Sequence, residues 1–387
     1  MLNAGERLWG AQKIQRTGLC IGLDPHFDAN GPLNTAFYQG FGSDAEEQEH
    51  VDFFREILDK VDRFVPGVVN NSLDAARALA GLVRYNVLII SAARSEGILV
   101  FKPQSAFYER MPFLGQIILS MLCEALHSEK GKEYIFKILD AKRGDIGTTQ
   151  EPYYAAYLSS VIEEAGFGIN GPFDFDTMTV TTWMGEDVLS PGLPYFKKGK
   201  GAIVVTRSSN PSGTTFQDAT MTPSGISVGP KQEGFVFTQD DCGALTNILG
   251  RCPTAHEVML YLTTKFSKSN DLDRNGVSPI FSVMGATIDI GDGYRKIRGN
   301  GAVALVPGHG AQKGGFKHVG PLLVRDGPLT GHWGIHSSSR AHNFAWMTEY
   351  GGNGNPRDVV SQTKRAIDVF RAAERQAYAD IGADYPF

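Results

Sequence analysis

Residues 137–149 read KILDAKRGDIGTT, and the rest of the chain is most simply read as scaffolding for this stretch. Ile138, Leu139 and Ala141 are the apolar residues of a strand, while Asp140 and Lys142 stand two apart, a spacing that puts both side chains on one face. Opposite charges inside an apolar strand are costly unless a site uses them. The bland alternative is a surface ion pair at a strand end, which contributes little. Long amphipathic segments on both sides argue against it. Arg143 and Gly144 break the strand pattern, and Asp145 follows where a βα loop would carry it.

Short apolar runs of this kind recur along the chain. Eight of them end near Asp24, Lys102, Asp140, Thr181, Arg207, Met284, Val306 and His336. Helical periodicity lies between many of them, over residues 45–61, 113–128, 146–164, 241–249, 255–266 and 356–379. Alternating strands and helices with polar chemistry at the strand ends predict a single α/β domain over residues 1–387, a (β/α)8 TIM barrel. A doubly wound sheet would concentrate a GxGxxG signature in its first βαβ unit, and no glycine-rich segment here has that spacing. Residues 28–44 read as a loop and 64–69 as strand-like. Residues 70–99 offer another helical segment and a further apolar run and read as an insertion or an extended second unit, and 213–239 read as an insertion.

Composition narrows the function. The chain of 387 residues is 42% hydrophobic and 20% charged with a net charge of -5, and no basic run interleaved with aromatics occurs, so no nucleic-acid partner is expected. No apolar window has the uninterrupted length of a membrane helix, and no membrane partner is expected. Cys20, Cys123, Cys242 and Cys252 have neither metal-ligand spacing nor the density of a disulfide scaffold, which leads to the expectation of a reduced, cytoplasmic setting. His26, His309, His332, His336 and His342 match no zinc motif, and no metal is expected.

Three groups of residues carry candidate chemistry. Lys102, Asp140, Lys142 and Asp145 alternate in charge and can keep one another ionised where a reacting group acquires charge. Pro307, Gly308, Gly310, Ala311 and Gln312, with Ser337 to Arg340 after the next strand, suit a phosphate grip on the last two loops of a barrel. Taken alone, that second group also fits two tight glycine loops and an exposed arginine. Arg207, Ser208, Ser209 and Asn210 offer short donors for a polar heterocycle, although an Asn-Pro turn with a capping serine is as natural.

The ordered set of segments resembles the orotidine 5'-phosphate decarboxylase family, in its longer bacterial-type (type 2) branch. DAKRGDIGTT at 140–149 carries the resemblance most strongly. It is joined by GLDPH (22–26), FKPQSAFYE (101–109), TRSSNPSG (206–213), MGAT (284–287), VPGHGAQKGG (306–315) and SSSR (337–340). The resemblance implies decarboxylation of orotidine 5'-monophosphate to UMP and carbon dioxide without a cofactor, in a homodimer with shared active sites. It implies that Asp24 and Lys102 contact the ribose, Asp140 lies beside the departing carboxylate and Lys142 protonates C6. Asp145 and Thr149 would reach the ribose of the neighbouring subunit's substrate, with Ile146 packing there. Ser209, or else Ser208, would bond the pyrimidine, and Gln312 and Arg340 would hold the phosphate. The chain departs from the branch in reading HSSSR at 336–340, where an asparagine is expected before the serines. Two rivals remain: a metal-dependent pentulose- or hexulose-phosphate lyase or synthase on the same barrel, and a non-catalytic nucleotide-binding homologue.

Overall fold

Eight short parallel strands close into a barrel in chain order in a computed structural model of the protein. The structure describes residues 1–27, 32–43, 45–67, 70–127, 133–162, 169–225, 236–287, 293–299, 303–308, 316, 334–347, 353–380, 382 and 384–387. The strands are β1 (Leu19–Leu23), β2 (Val100–Pro103), β3 (Phe136–Arg143), β4 (Thr177–Val180), β5 (Gly201–Arg207), β6 (Ile280–Met284), β7 (Ala304–Pro307) and β8 (Gly334–Ser338). β8 returns to β1, with Leu19 opposite His336 and Cys20 opposite Ser337. Covered on both faces, such strands read as continuous apolar runs, which is why their positions show in the sequence. β3 and β8 run on beyond Asp140 and His336, where the apolar signal stops.

The principal helices are α1 (Ala4–Gln15), α2 (Thr35–Phe41), α3 (Gln48–Phe64), α4 (Ser72–Ser95), α5 (Pro112–Ala125), α6 (Gly147–Leu158), α7 (Gln239–Leu249), α8 (Ala255–Ser269) and α9 (Pro356–Asp380). α1 closes the N-terminal end of the barrel. Asn3 and Glu6 form its capping box, and the Asn3 amide also donates to the Val277 carbonyl at 2.8 Å. Gln12 donates to the Gly334 carbonyl at 2.8 Å, and Gln15 donates to Leu19 O at 2.9 Å and accepts from Leu99 N at 2.8 Å. These side chains satisfy backbone groups at or just before the starts of β8, β1 and β2.

The connection from β1 to β2 differs most from the sequence reading. Residues 28–44, expected to be a loop, contain α2, capped by Asn34, whose Tyr38 and Phe41 pack on Tyr85 with ring centroids 5.8 and 5.2 Å away. Phe64, expected to open a strand, ends α3. Residues 70–99, expected to be an insertion or an extended second unit, are largely the single helix α4, which packs between α9 and α5 as the ring helix of this crossover. By length and composition α4 could cross a membrane, yet Leu82, Ile89 and Ile90 are buried in the core. α2 and α3 precede α4 in this crossover and pack on it. Within 213–239, the described residues form short helical turns at Thr214–Gln217 and Pro223–Gly225 and the start of α7. Residues 226–235 of that expected insertion lie outside the described residues.

Candidate active site

The charged face of β3 is built by an irregularity. Leu139 pairs with Met178 and Arg143 with Val180, so residues 140–142 stand opposite Thr179 alone. Lys142 takes a left-handed φ of 48°, uncommon for a residue with a side chain. The two charges nevertheless converge as the spacing suggested. Lys142 Nζ donates to Asp140 Oδ1 at 2.6 Å, and Lys102 Nζ donates to Asp140 Oδ2 at 3.1 Å. Thr179 Oγ1 donates to Asp140 Oδ1 at 2.9 Å and accepts from the Lys142 amide at 2.9 Å.

Burial and charge set the protonation states. Burial alone would raise the Asp140 carboxyl, but the Lys102 and Lys142 ammonium groups outweigh it and hold Asp140 well below the ordinary carboxylate range. Burial likewise opposes the Lys102 charge, and Asp140 and Asp24 overcome it, leaving Lys102 above the usual lysine range. The Lys102 side chain is only 5% exposed, whereas that of Lys142 is 47% exposed. Both ammonium groups on Asp140 belong to residues that line the cavity, and that of Lys142 is the more open to an incoming molecule.

This array lines a cavity of about 400 Å³ at the C-terminal ends of the strands. Asp24, Ser208, Ser209 and Arg340 line it too, so seven positions given roles by the family resemblance meet around one space, and Pro307, Gly308, Ser337 and Ser339 of the expected phosphate grip join them. Asp24 is buried, and its Oδ1 has no hydrogen-bond partner among the described residues, which leaves an acceptor for a ligand hydroxyl. Ser208 Oγ donates to Gln217 Oε1 at 3.0 Å, while the Ser209 hydroxyl is in no hydrogen bond among the described residues. Arg340 is exposed at the opening of the short helix Arg340–Asn343. His26, two residues after Asp24, also lines the cavity and packs its ring on Phe107 at 4.5 Å and Phe344 at 5.6 Å. Burial pushes its imidazole below the ordinary value, with Asp24 opposing and Arg340 adding to that shift.

A family model for the orotidine 5'-phosphate decarboxylase / HUMPS family matches residues 72–250. An orotidine 5'-phosphate decarboxylase of Rhodopirellula baltica is 27% identical over 345 residues, 87% of each chain. One of Caldicellulosiruptor saccharolyticus is 30% identical over 236 residues, 60% of this chain and 65% of that one. Over the matched residues the chain is similar to the orotidine 5'-phosphate decarboxylase / HUMPS family. Its fold is also that of a Plasmodium berghei orotidine 5'-monophosphate decarboxylase, matched with a TM-score of 0.60 at 18% identity over 98% of this chain and 99% of that one.

Three further positions expected from the family resemblance, Asp145, Ile146 and Thr149, are described and are not among the residues that line the cavity. Asp145 is half-buried at the mouth of α6, where its Oδ1 accepts from Ile146 N at 2.8 Å and its amide donates to Gln150 Oε1 at 3.0 Å. Ile146 and Thr149 are exposed on the rim. Gln312, with His309, Gly310, Ala311 and His332, lies outside the described residues. Arg207, grouped with the serines in the sequence, does not face the cavity. It is fully buried and forks onto Asp218 at 2.7 and 2.9 Å, because a buried guanidinium needs a carboxylate of its own. Asn210 lines the cavity and bonds Ser212 Oγ at 2.8 Å. Thr179 escaped the sequence reading, and Gln104 and Phe107, which line the cavity, had no role assigned within FKPQSAFYE. A threonine inside a β-branched strand carries no charge signal, and only the register of β3 on β4 marks it.

Proposed function

We propose that this protein is an orotidine 5'-monophosphate decarboxylase that releases UMP and carbon dioxide without a cofactor, in the last step of de novo pyrimidine nucleotide synthesis. One observation carries the reading: a buried carboxylate held between two ammonium groups at the base of a cavity whose mouth holds an arginine. In this reading Arg340, together with Gln312, grips the 5'-phosphate, Asp24 and Lys102 take the ribose hydroxyls, and Ser209 bonds the pyrimidine. The orotate carboxylate is then placed against Asp140. The bond from C6 to the carboxylate carbon breaks, carbon dioxide leaves, and the electron pair stays on C6. Lys142 delivers its proton there and is reprotonated by solvent.

The phosphate grip is remote from that bond, so its binding energy can drive the orotate ring into the charged site. Repulsion between Asp140 and the substrate carboxylate raises the ground state, but the larger contribution comes from an ammonium group preorganised beside the developing carbanion. Asp145, Ile146 and Thr149 complete a partner subunit's site in a homodimer, and the enzyme works in the cytoplasm. Because both Asp140 oxygens accept from lysines, a metal-dependent sugar-phosphate reaction would need a cation to displace one of them.

The test is a metal-free ultraviolet assay with orotidine 5'-monophosphate, with and without chelator. Rapid, chelator-insensitive loss of the orotate absorbance is expected. No loss at high enzyme concentration sinks the proposal, and metal-dependent turnover of an open-chain sugar phosphate would replace it with the synthase reading. Tight UMP binding without carbon dioxide release would favour a non-catalytic homologue.

A further inference from the structure

The irregular pairing of β3 leaves three residues, 140–142, facing one residue of β4, and a regular ladder cannot satisfy them. Thr179 is that residue, and its side chain is fully buried. Its hydroxyl does what the ladder cannot: it accepts from Lys142 N at 2.9 Å and donates to Asp140 Oδ1 at 2.9 Å. The same Oδ1 receives the Lys142 ammonium at 2.6 Å, so backbone, hydroxyl, carboxylate and ammonium close into one ring. Lys142 meanwhile holds a φ of 48°, a conformation that persists for such a residue only when its surroundings fix it.

We infer that Thr179 is a positioning residue whose hydroxyl fixes the left-handed turn at Lys142 and thereby aims the Lys142 ammonium. The remaining backbone near Lys142 does not duplicate this job, since the ladder resumes only at Arg143. Valine has nearly the shape of threonine and lacks the hydroxyl. Thr179→Val therefore strands the Lys142 amide and removes one donor from Asp140, at little cost in packing. Thr179→Ser keeps the hydroxyl and gives up only a methyl group.

The kinetic arm of the test rests on the decarboxylase reading; the structural arm does not. In Thr179→Val, kcat for orotidine 5'-monophosphate is expected to fall by roughly 10- to 100-fold with KM changed less than about threefold, because a misaimed proton donor costs turnover rather than binding. Thr179→Ser should restore kcat to within about threefold of the parent. Crystal structures of both variants should show the Lys142 ammonium withdrawn from Asp140 in the valine variant and retained in the serine variant. A folded Thr179→Val that keeps that contact, or keeps parental kcat, overturns the inference. If the valine variant does not fold, Thr179→Ala compared with Thr179→Ser gives the same readouts. An inactive parent protein instead overturns the decarboxylase reading, and the crystal structures alone then decide the role of Thr179.

Discussion

At the residue scale the site turns on the unequal exposure of two lysines that share one carboxylate. Lys102 reaches the cavity from a largely buried position and Lys142 is the more exposed, so removing Lys142 should abolish chemistry while sparing the ribose and phosphate contacts. Lys142→Ala is expected to lower kcat for orotidine 5'-monophosphate by at least about 10³-fold, the scale of a lost general acid that also supplies charge stabilisation. Calorimetric titration of the same variant should leave UMP affinity within about tenfold of the parent. Asp140 gives a prediction that needs no substrate. Its folded value lies below the unfolded carboxylate value of about 3.9, so the native state binds fewer protons and Asp140 adds stability that is present above that value. That contribution is lost as pH falls through the unfolded value towards the folded one. Asp140→Asn leaves the buried Lys102 charge with less compensation and should cost about 3 kcal/mol at neutral pH. Between about pH 5 and pH 3 its urea midpoint should then fall less steeply than that of the parent.

At the element scale, β5 hands its last residue away from the cavity and uses it as an anchor. Arg207 forks onto Asp218, and Gln217 Oε1 accepts from Ser208 N at 2.9 Å and from Ser208 Oγ, so the turn at Thr214–Gln217 is tied to the serine loop. Asp218→Ala strands a fully buried guanidinium and should lower unfolding free energy by about 3 kcal/mol, read from urea titrations. KM should rise more than kcat falls, since the loop it loosens binds substrate rather than moves protons. The same element shows what a sequence can and cannot disclose. The apolar run over residues 201–206 and its polar end were legible, because a strand buried on both faces must be apolar throughout. The direction of Arg207 was not, because it depends on a carboxylate eleven residues on in an irregular stretch. Asp140 and Lys142 were legible as a pair through charge and spacing. The turn that brings them together was not, since it is set by pairing with Thr179, a residue without a charge pattern. α2 was hidden because seven residues are too few for a periodic signal among loop-forming neighbours. α1 was unread as a barrel plug, for its polar side chains act on backbone groups far away in the chain.

At the scale of the whole molecule, the chemistry and the rim belong to different ends of the same stretch. Asp140 and Lys142 face the cavity of their own barrel, while Ile146 is 53% exposed a few residues later, and Thr149 is exposed beside it. The loops after the neighbouring strands β4 and β5 add Trp183 at 76%, Met184 at 51% and Phe216 at 57% exposure, with the Trp183 and Phe216 rings 5.0 Å apart. Large apolar side chains gathered on one sector of a rim mark an interaction surface. In the proposed homodimer this sector meets its copy, and a two-fold axis then sends each Asp145 and Thr149 towards the other cavity. A charge placed in the sector should break the dimer without reaching the core. Trp183→Asp combined with Ile146→Asp is expected to sediment as a folded monomer with an unchanged far-ultraviolet circular dichroism spectrum. Turnover of orotidine 5'-monophosphate should fall by roughly 100-fold, because each site loses the side chains its partner lends and the ribose is no longer held in place. Loss of activity in a variant that remains dimeric would locate the defect within one subunit. A verified monomer with parental turnover would show that each barrel is complete alone, and Asp145, Ile146 and Thr149 would then have no part in the site.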